Sequence, residues 1–169
     1  MSDHGIRFRD YPFAPSRVYP ERFVAGSDIA SVCFYGPALV QVGNDFAFVS
    51  REREPELRAL MARHRIPERP SNFNWDWILS PYLDTEFSED DIARQALRLS
   101  EAGFDAGEVD AIRHEVGDVM WAYNFQTMLW EWAGFGLYDV LSAMRAFYSA
   151  GDFADFYRRA MEIEGRTRP

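Results

Sequence analysis

Lysine is absent from the 169-residue sequence, and all 18 of its basic residues are arginine. Cysteine occurs once, at Cys33, which excludes an internal disulfide, and its apolar neighbours predict a buried thiol. No apolar run approaches the roughly 18 residues that a membrane-spanning helix needs. Residues 1–13 also lack the apolar core of a signal peptide. These absences predict a cytoplasmic protein that has no membrane partner.

Motifs that bind phosphate or activate a nucleophile are also absent, since the sequence has no G-x-x-x-x-G-K-[ST], G-x-G-x-x-G or G-x-S-x-G. His114 and Asp118 are spaced i, i+4, like the two histidines of a zinc-protease helix, but a full site needs a second histidine and a third ligand. We therefore predict no metal, no cofactor and no catalytic residue, and the sequence favours a non-enzymatic protein.

Negative charge is concentrated in one segment of the chain. The net charge is −9, and residues 84–118 hold eleven acidic residues against three arginines, a net charge of −8. A surface of this kind repels phosphate backbones, which disfavours a nucleic-acid partner, and it attracts a basic protein. The alternative is a solvated helix surface that keeps the protein soluble.

The N-terminal part of the chain predicts a small antiparallel sheet and one helix. A short strand is predicted at "IRFRDY", and "IASVCFYG" has the β-branched and aromatic content of another. The turn signal Gly43-Asn44-Asp45 lies between alternating apolar runs and predicts a hairpin from about Leu39 to Ser50. A helix is predicted for "EPELRALMARHRI", with Pro55 in its first turn.

The remainder of the chain predicts about five helices. Ser88 with Asp91 fits a capping box, and Ile92, Ala96 and Leu99 share one face of the helix that follows. Asp105 is predicted to cap the next helix and Asp152 to cap the last one. The predicted fold is α+β, a small N-terminal antiparallel sheet with one helix followed by a bundle of about five helices. The predicted division is an extension at residues 1–70 and a helical domain at 71–169.

Residues 75–135 resemble a family of small uncharacterised bacterial proteins, a domain of unknown function. The resemblance rests on Leu83-Asp84-Thr85-Glu86 and Glu131-Trp132-Ala133-Gly134-Phe135, in that order and at about this separation. It implies a compact helical domain and no particular activity. The N-terminal 70 residues do not match the family pattern.

Two structural roles are open for these motif residues. Capping and core packing account for them, with Trp132 and Phe135 as core anchors. Alternatively, Asp84, Glu86, Glu131 and Trp132 form a shared pocket, and its three carboxyl groups then serve a small enzyme.

A protein-binding role follows from the charge and the aromatic residues together. We predict an immunity protein that neutralises a cognate bacterial toxin through an acidic face, because toxins that cut nucleic acid are often basic. The residues predicted to contact this basic partner are Asp90, Asp91, Glu101, Glu108 and Asp110. A third possibility is a homo-oligomeric structural protein that associates through exposed aromatic surface.

Overall fold

A computed structural model describes residues 1–83, 86–127 and 134–167 of the chain. Five strands occur in these residues, namely β1 (Gly5–Phe8), β2 (Arg22–Ala25), β3 (Ser31–Cys33), β4 (Ala38–Val42) and β5 (Asp45–Val49). Six α-helices also occur there, namely α1 (Glu54–His64), α2 (Asn74–Leu79), α3 (Glu89–Glu101), α4 (Ala106–Thr127), α5 (Leu137–Phe147) and α6 (Ala150–Gly165). The α+β class predicted from the sequence is confirmed, with α1 in the N-terminal part and five helices after it.

The chain divides into two compact units. The first comprises Met1–Ser71 and Ala154–Met161, and the second comprises Asn72–Phe153 and Glu162–Pro169. The division therefore begins next to the predicted boundary at residues 70 and 71, but eight residues of α6 belong to the first unit.

The first unit contains two antiparallel sheets. Strands β1 and β2 pair with each other, and β3, β4 and β5 form a second sheet in that order. The predicted hairpin is β4 and β5, with Val42 opposite Asp45 across the turn. Gly43 adopts a φ of 63° there, a left-handed conformation that glycine reaches without steric cost. The sequence therefore placed this hairpin and its turn correctly.

Each edge strand of the three-stranded sheet makes hydrogen bonds to another segment of the first unit. On the β3 side, Val32 donates its backbone N–H to Pro67 O at 3.0 Å and accepts from Arg69 N at 2.8 Å. On β5, Phe48 donates its backbone N–H to the hydroxyl of Tyr11 at 3.0 Å. These contacts satisfy backbone groups that would otherwise be open to pairing with another chain.

Helices α2, α3, α4 and α5 lie in the second unit, where α4 packs against both α2 and α5. The side chains in its core are fully or almost fully buried, and the largest are Trp75, Ile78, Leu79, Met120, Phe135, Leu141 and Met144. None of the helices in the described part of the chain has the length and apolarity that crossing a bilayer would require.

Local capping signals mark the beginnings of α3, α4 and α6. Ser88 and Asp91 form the predicted capping box at α3, and Glu108 N donates to Asp105 Oδ1 at 2.8 Å at α4. The predicted cap of α6 is wrong. Ser149 Oγ accepts from Asp152 N at 3.3 Å, so Ser149 is the N-cap and α6 begins at Ala150.

Candidate functional site

Three of the five acidic residues predicted to contact a partner are held by arginines of the same unit. Asp91 pairs with Arg94, Glu101 accepts from Arg98 at 3.2 Å, and Glu108 accepts from both terminal nitrogens of Arg166 at 2.6 and 2.9 Å. The hydrogen bond from Ser88 and then the pairing with Arg94 lower the pKa of Asp91. Asp91, Glu101 and Glu108 therefore have partners within the same unit, and these pairings explain the three acids without a partner protein.

The other two predicted contact residues, Asp90 and Asp110, are exposed carboxylates with a different environment. Across residues 1–83, 86–127 and 134–167, no hydrogen bond or ion pair involves either side chain, and the same holds for Glu86, Glu89 and Asp118. Carboxylates without a hydrogen bond or ion pair in these residues thus remain at the start of α3 and along α4, where a basic surface would meet them directly.

The outward side of α4 carries a row of exposed residues, Asp110, His114, Asp118 and Trp121, at helical spacing. We call this set the α4 row. Trp121 keeps 46% of its surface exposed. The opposite side of the helix is buried through Val109, Ile112, Val116 and Met120. The α4 row therefore combines two exposed carboxylates with the exposed side chain of a tryptophan, a residue type enriched at binding hot spots.

Trp121 is positioned by a hydrogen-bonded scaffold beneath it. The ring of Tyr82 meets it edge-on, with centroids 6.1 Å apart, and the Tyr82 hydroxyl donates to Arg113 O at 2.5 Å. The guanidinium of Arg113 donates in turn to Ile78 O at 3.0 Å and to Trp77 O at 3.1 Å, at the end of α2. Burial lowers the pKa of Arg113 and raises that of Tyr82. This scaffold therefore supports the ring that packs against Trp121.

Sequence reasoning identified only part of this site. The four members of the α4 row follow a period of about 3.6, so the exposed stripe could be recognised from spacing. No local sequence pattern indicated the role of Arg113, because the carbonyl groups that it binds lie 35 and 36 residues earlier in the chain.

The predicted pocket lies largely outside the residues that the structure describes. Asp84, Glu131 and Trp132 lie outside the described residues, and Glu86 is exposed. Convergence of the three carboxyl groups therefore stays a prediction. Among the described residues, no group of three histidine, cysteine or acidic side chains is arranged to hold a metal ion.

Asp139 is a partly buried acid whose carboxyl group is electrostatically perturbed, and the sequence did not single it out. It lies in the first turn of α5, where its Oδ2 accepts from Gly136 N at 3.0 Å. Burial raises the pKa of this carboxyl group, and the hydrogen bonds from Gly136 and from its own backbone N–H oppose that shift.

We expect Asp139→Asn to be better tolerated at pH 7 than at pH 3. A carboxyl group whose pKa is raised by folding stabilises the folded state at pH values below its unfolded-state pKa of 3.8. This stabilisation is lost as the pH rises through the folded-state pKa. Asparagine keeps an acceptor for Gly136 N without a buried charge. Urea unfolding of both proteins at pH 3 and pH 7 measures the difference. If the stability of Asp139→Asn relative to the unmodified protein is lower at pH 7 than at pH 3, the raised pKa of Asp139 is contradicted.

Comparisons with protein families, with curated protein sequences and with solved structures found no match to this chain. The family resemblance of residues 75–135 therefore stays a prediction, and the site rests on its own geometry.

Proposed function

We propose that this chain is a non-enzymatic protein-binding module, and that it acts as an immunity protein by neutralising a bacterial toxin with a basic surface. The observation that carries the proposal is the α4 row, in which Asp110 and Asp118 precede a half-exposed Trp121 on the same side of the helix. Carboxylates of this kind accelerate encounter with a basic protein, and the aromatic ring supplies apolar contact area once the proteins meet.

The charge of the wider segment supports the same partner. Arginine pairing within the unit leaves Glu86, Glu89 and Asp90 near the start of α3 without a partner in the described residues, in addition to the two carboxylates of α4. A toxin that cleaves nucleic acid must hold phosphates, so its catalytic surface is basic. An acidic partner can then cover the phosphate-binding surface and exclude the substrate.

The proposal is tested with the product of the gene adjacent to the one that encodes this chain. Expressed alone in a bacterial host, that product should arrest growth, and co-expression of this chain should relieve the arrest. Absence of any arrest, or an arrest that this chain does not relieve, would remove the immunity function.

Substitutions in the α4 row should weaken the complex in a graded way. Trp121→Ala should raise the dissociation constant by about 30-fold or more, as expected of a central aromatic anchor. Asp110→Asn with Asp118→Asn should slow association by roughly 10-fold at low salt, and the difference should shrink at 0.5 M salt because screening removes the steering. Surface plasmon resonance with the purified adjacent gene product separates the two rates.

The matched control removes two charges from the first unit, through Asp10→Asn and Asp28→Asn, both of which are exposed. This variant should retain the association rate of the unmodified chain to within about 2-fold. An α4-row variant that is folded by circular dichroism and binds like the control would exclude this row from the interface.

A further inference from the structure

Helix α3 exposes apolar side chains that an amphipathic helix would ordinarily bury. Leu99 is its only buried residue, whereas Ile92 and Leu97 keep 57% and 58% of their surface exposed. Ala93 and Ala96 are exposed as well. The helix therefore has an exposed apolar surface beside Leu99, which we call the α3 stripe and which consists of Ile92, Ala93, Ala96 and Leu97.

The shape of the α3 stripe suits a side chain from a partner. The spacing of three to four residues places its members on one side of the helix across about one and a half turns. Ile92 and Leu97 stand at its two ends, and the methyl groups of Ala93 and Ala96 lie between them. A large apolar residue of a second helix can rest on the alanines and contact both larger side chains.

The unpaired charge around the α3 stripe is negative. Glu89 lies four residues before Ala93 and Asp90 seven before Leu97, which places both carboxylates at the N-terminal end of the stripe. Neither has a partner in the described part of the chain. The two arginines of the helix, Arg94 and Arg98, pair with Asp91 and Glu101. The apolar surface is therefore bordered by free negative charge, while the positive charge is already neutralised.

We propose that the α3 stripe docks a cationic amphipathic helix of the partner protein, with an apolar residue over Ala93 and Ala96 and a lysine or arginine near Glu89 and Asp90. This inference rests on the proposed function, since it specifies which part of a basic partner meets the second unit. Charge decides against a second copy of this chain, because two segments with a net charge of −8 each would repel.

The probe is a synthetic 14-residue peptide of leucine and lysine arranged with helical period, compared with a scrambled peptide of the same composition. Isothermal titration should show one peptide bound per chain, and at least 10-fold weaker binding of the scrambled peptide. Ile92→Gln with Leu97→Gln should weaken binding by about 10- to 100-fold. Glu89→Gln with Asp90→Asn should weaken it by several-fold and reduce its salt dependence.

Two controls are matched to these variants. Phe147→Gln removes a side chain that is 63% exposed at the end of α5, and Asp10→Asn with Asp28→Asn removes two charges from the first unit. Both should bind the helical peptide like the unmodified chain. Equal binding by the Ile92 and Leu97 variant and by these controls would overturn the proposal, because the peptide would then be held by charge alone.

Sedimentation equilibrium without peptide tests the alternative occupant. A dimer that Ile92→Gln with Leu97→Gln dissociates would assign the α3 stripe to a second copy and overturn the proposal; a monomer supports it. The growth assay separates this inference from the proposed function. If the stripe variant still neutralises the adjacent gene product while the α4-row variant does not, the docking of a helix on α3 fails and the immunity function stands.

Discussion

Replacing Asp45 with alanine is expected to lower the free energy of unfolding of the first unit by about 3–5 kcal/mol. Asp45 is only 5% exposed, at the start of β5. Its Oδ2 accepts from Ser16 Oγ and from Arg17 N, both at 2.8 Å, and its Oδ1 accepts from Phe46 N at 3.0 Å and from Tyr157 Oη at 2.7 Å. Alanine would leave four donors without their acceptor, and most of them are shielded from water.

Tyr157→Phe separates one of these four bonds from the rest. Removing this hydroxyl should cost about 1–2 kcal/mol, because Asp45 Oδ1 keeps the backbone N–H of Phe46. Burial, followed by the proximity of Asp45, raises the pKa of Tyr157. The hydroxyl therefore remains a donor throughout the pH range in which the protein would be studied. In the Asp45→Ala background, Tyr157→Phe should cost less than it does alone.

Urea unfolding followed by circular dichroism measures both losses, with Asp10→Asn as the control because Asp10 is exposed. That control should change stability by less than about 0.5 kcal/mol. An Asp45→Ala variant within about 1 kcal/mol of the unmodified protein would show that water replaces the carboxyl group at no great cost, and that the four bonds do not organise this unit.

Asp45 shows which parts of the fold can be predicted from the sequence. Gly43-Asn44-Asp45 marked the turn of the β4–β5 hairpin, because turn conformation depends on residues next to one another. The buried role of Asp45 depends on Ser16, 29 residues earlier, and on Tyr157, 112 residues later. Patterns of spacing carry no information about such pairings, so only the local half of its role could be predicted.

The same limit applies to α3 and to the acidic segment. The apolar face of Ile92, Ala96 and Leu99 follows from periodicity, but periodicity cannot say whether another element covers that face. In the structure only Leu99 is covered. Likewise, composition predicted a concentration of carboxylates, but not that Arg166 lies beside Glu108, 58 residues away, while Asp110 forms no ion pair with an arginine of the described residues. Which acids remain available to a partner is therefore a property of the tertiary structure.

Asn74→Ala is expected to destabilise the second unit by about 2–4 kcal/mol. Asn74 is fully buried at the start of α2, and its Nδ2 donates to Ile163 O at 2.8 Å and to Arg166 O at 2.9 Å, at the end of α6. Carbonyls in the last turn of a helix lack an i+4 N–H donor, so the buried Asn74 amide adds a hydrogen bond to each of these two acceptors. Asn74→Asp should cost more at neutral pH, because it faces both carbonyls with an acceptor of the same size.

Hydrogen exchange can locate this effect as well as measure it. Asn72 provides the matched comparison, since its Nδ2 also donates to Arg166 O, at 2.9 Å, but it is only partly buried. Asn72→Ala should therefore cost about 1 kcal/mol, because Arg166 O keeps its hydrogen bond from the Asn74 amide and the Asn72 side chain is only partly buried. Asn74→Ala should accelerate exchange of the last amides of α6 far more than Asn72→Ala does. If both variants exchange alike and lose similar stability, burial of the Asn74 amide is not what holds the end of α6, and the two asparagines share that role equally.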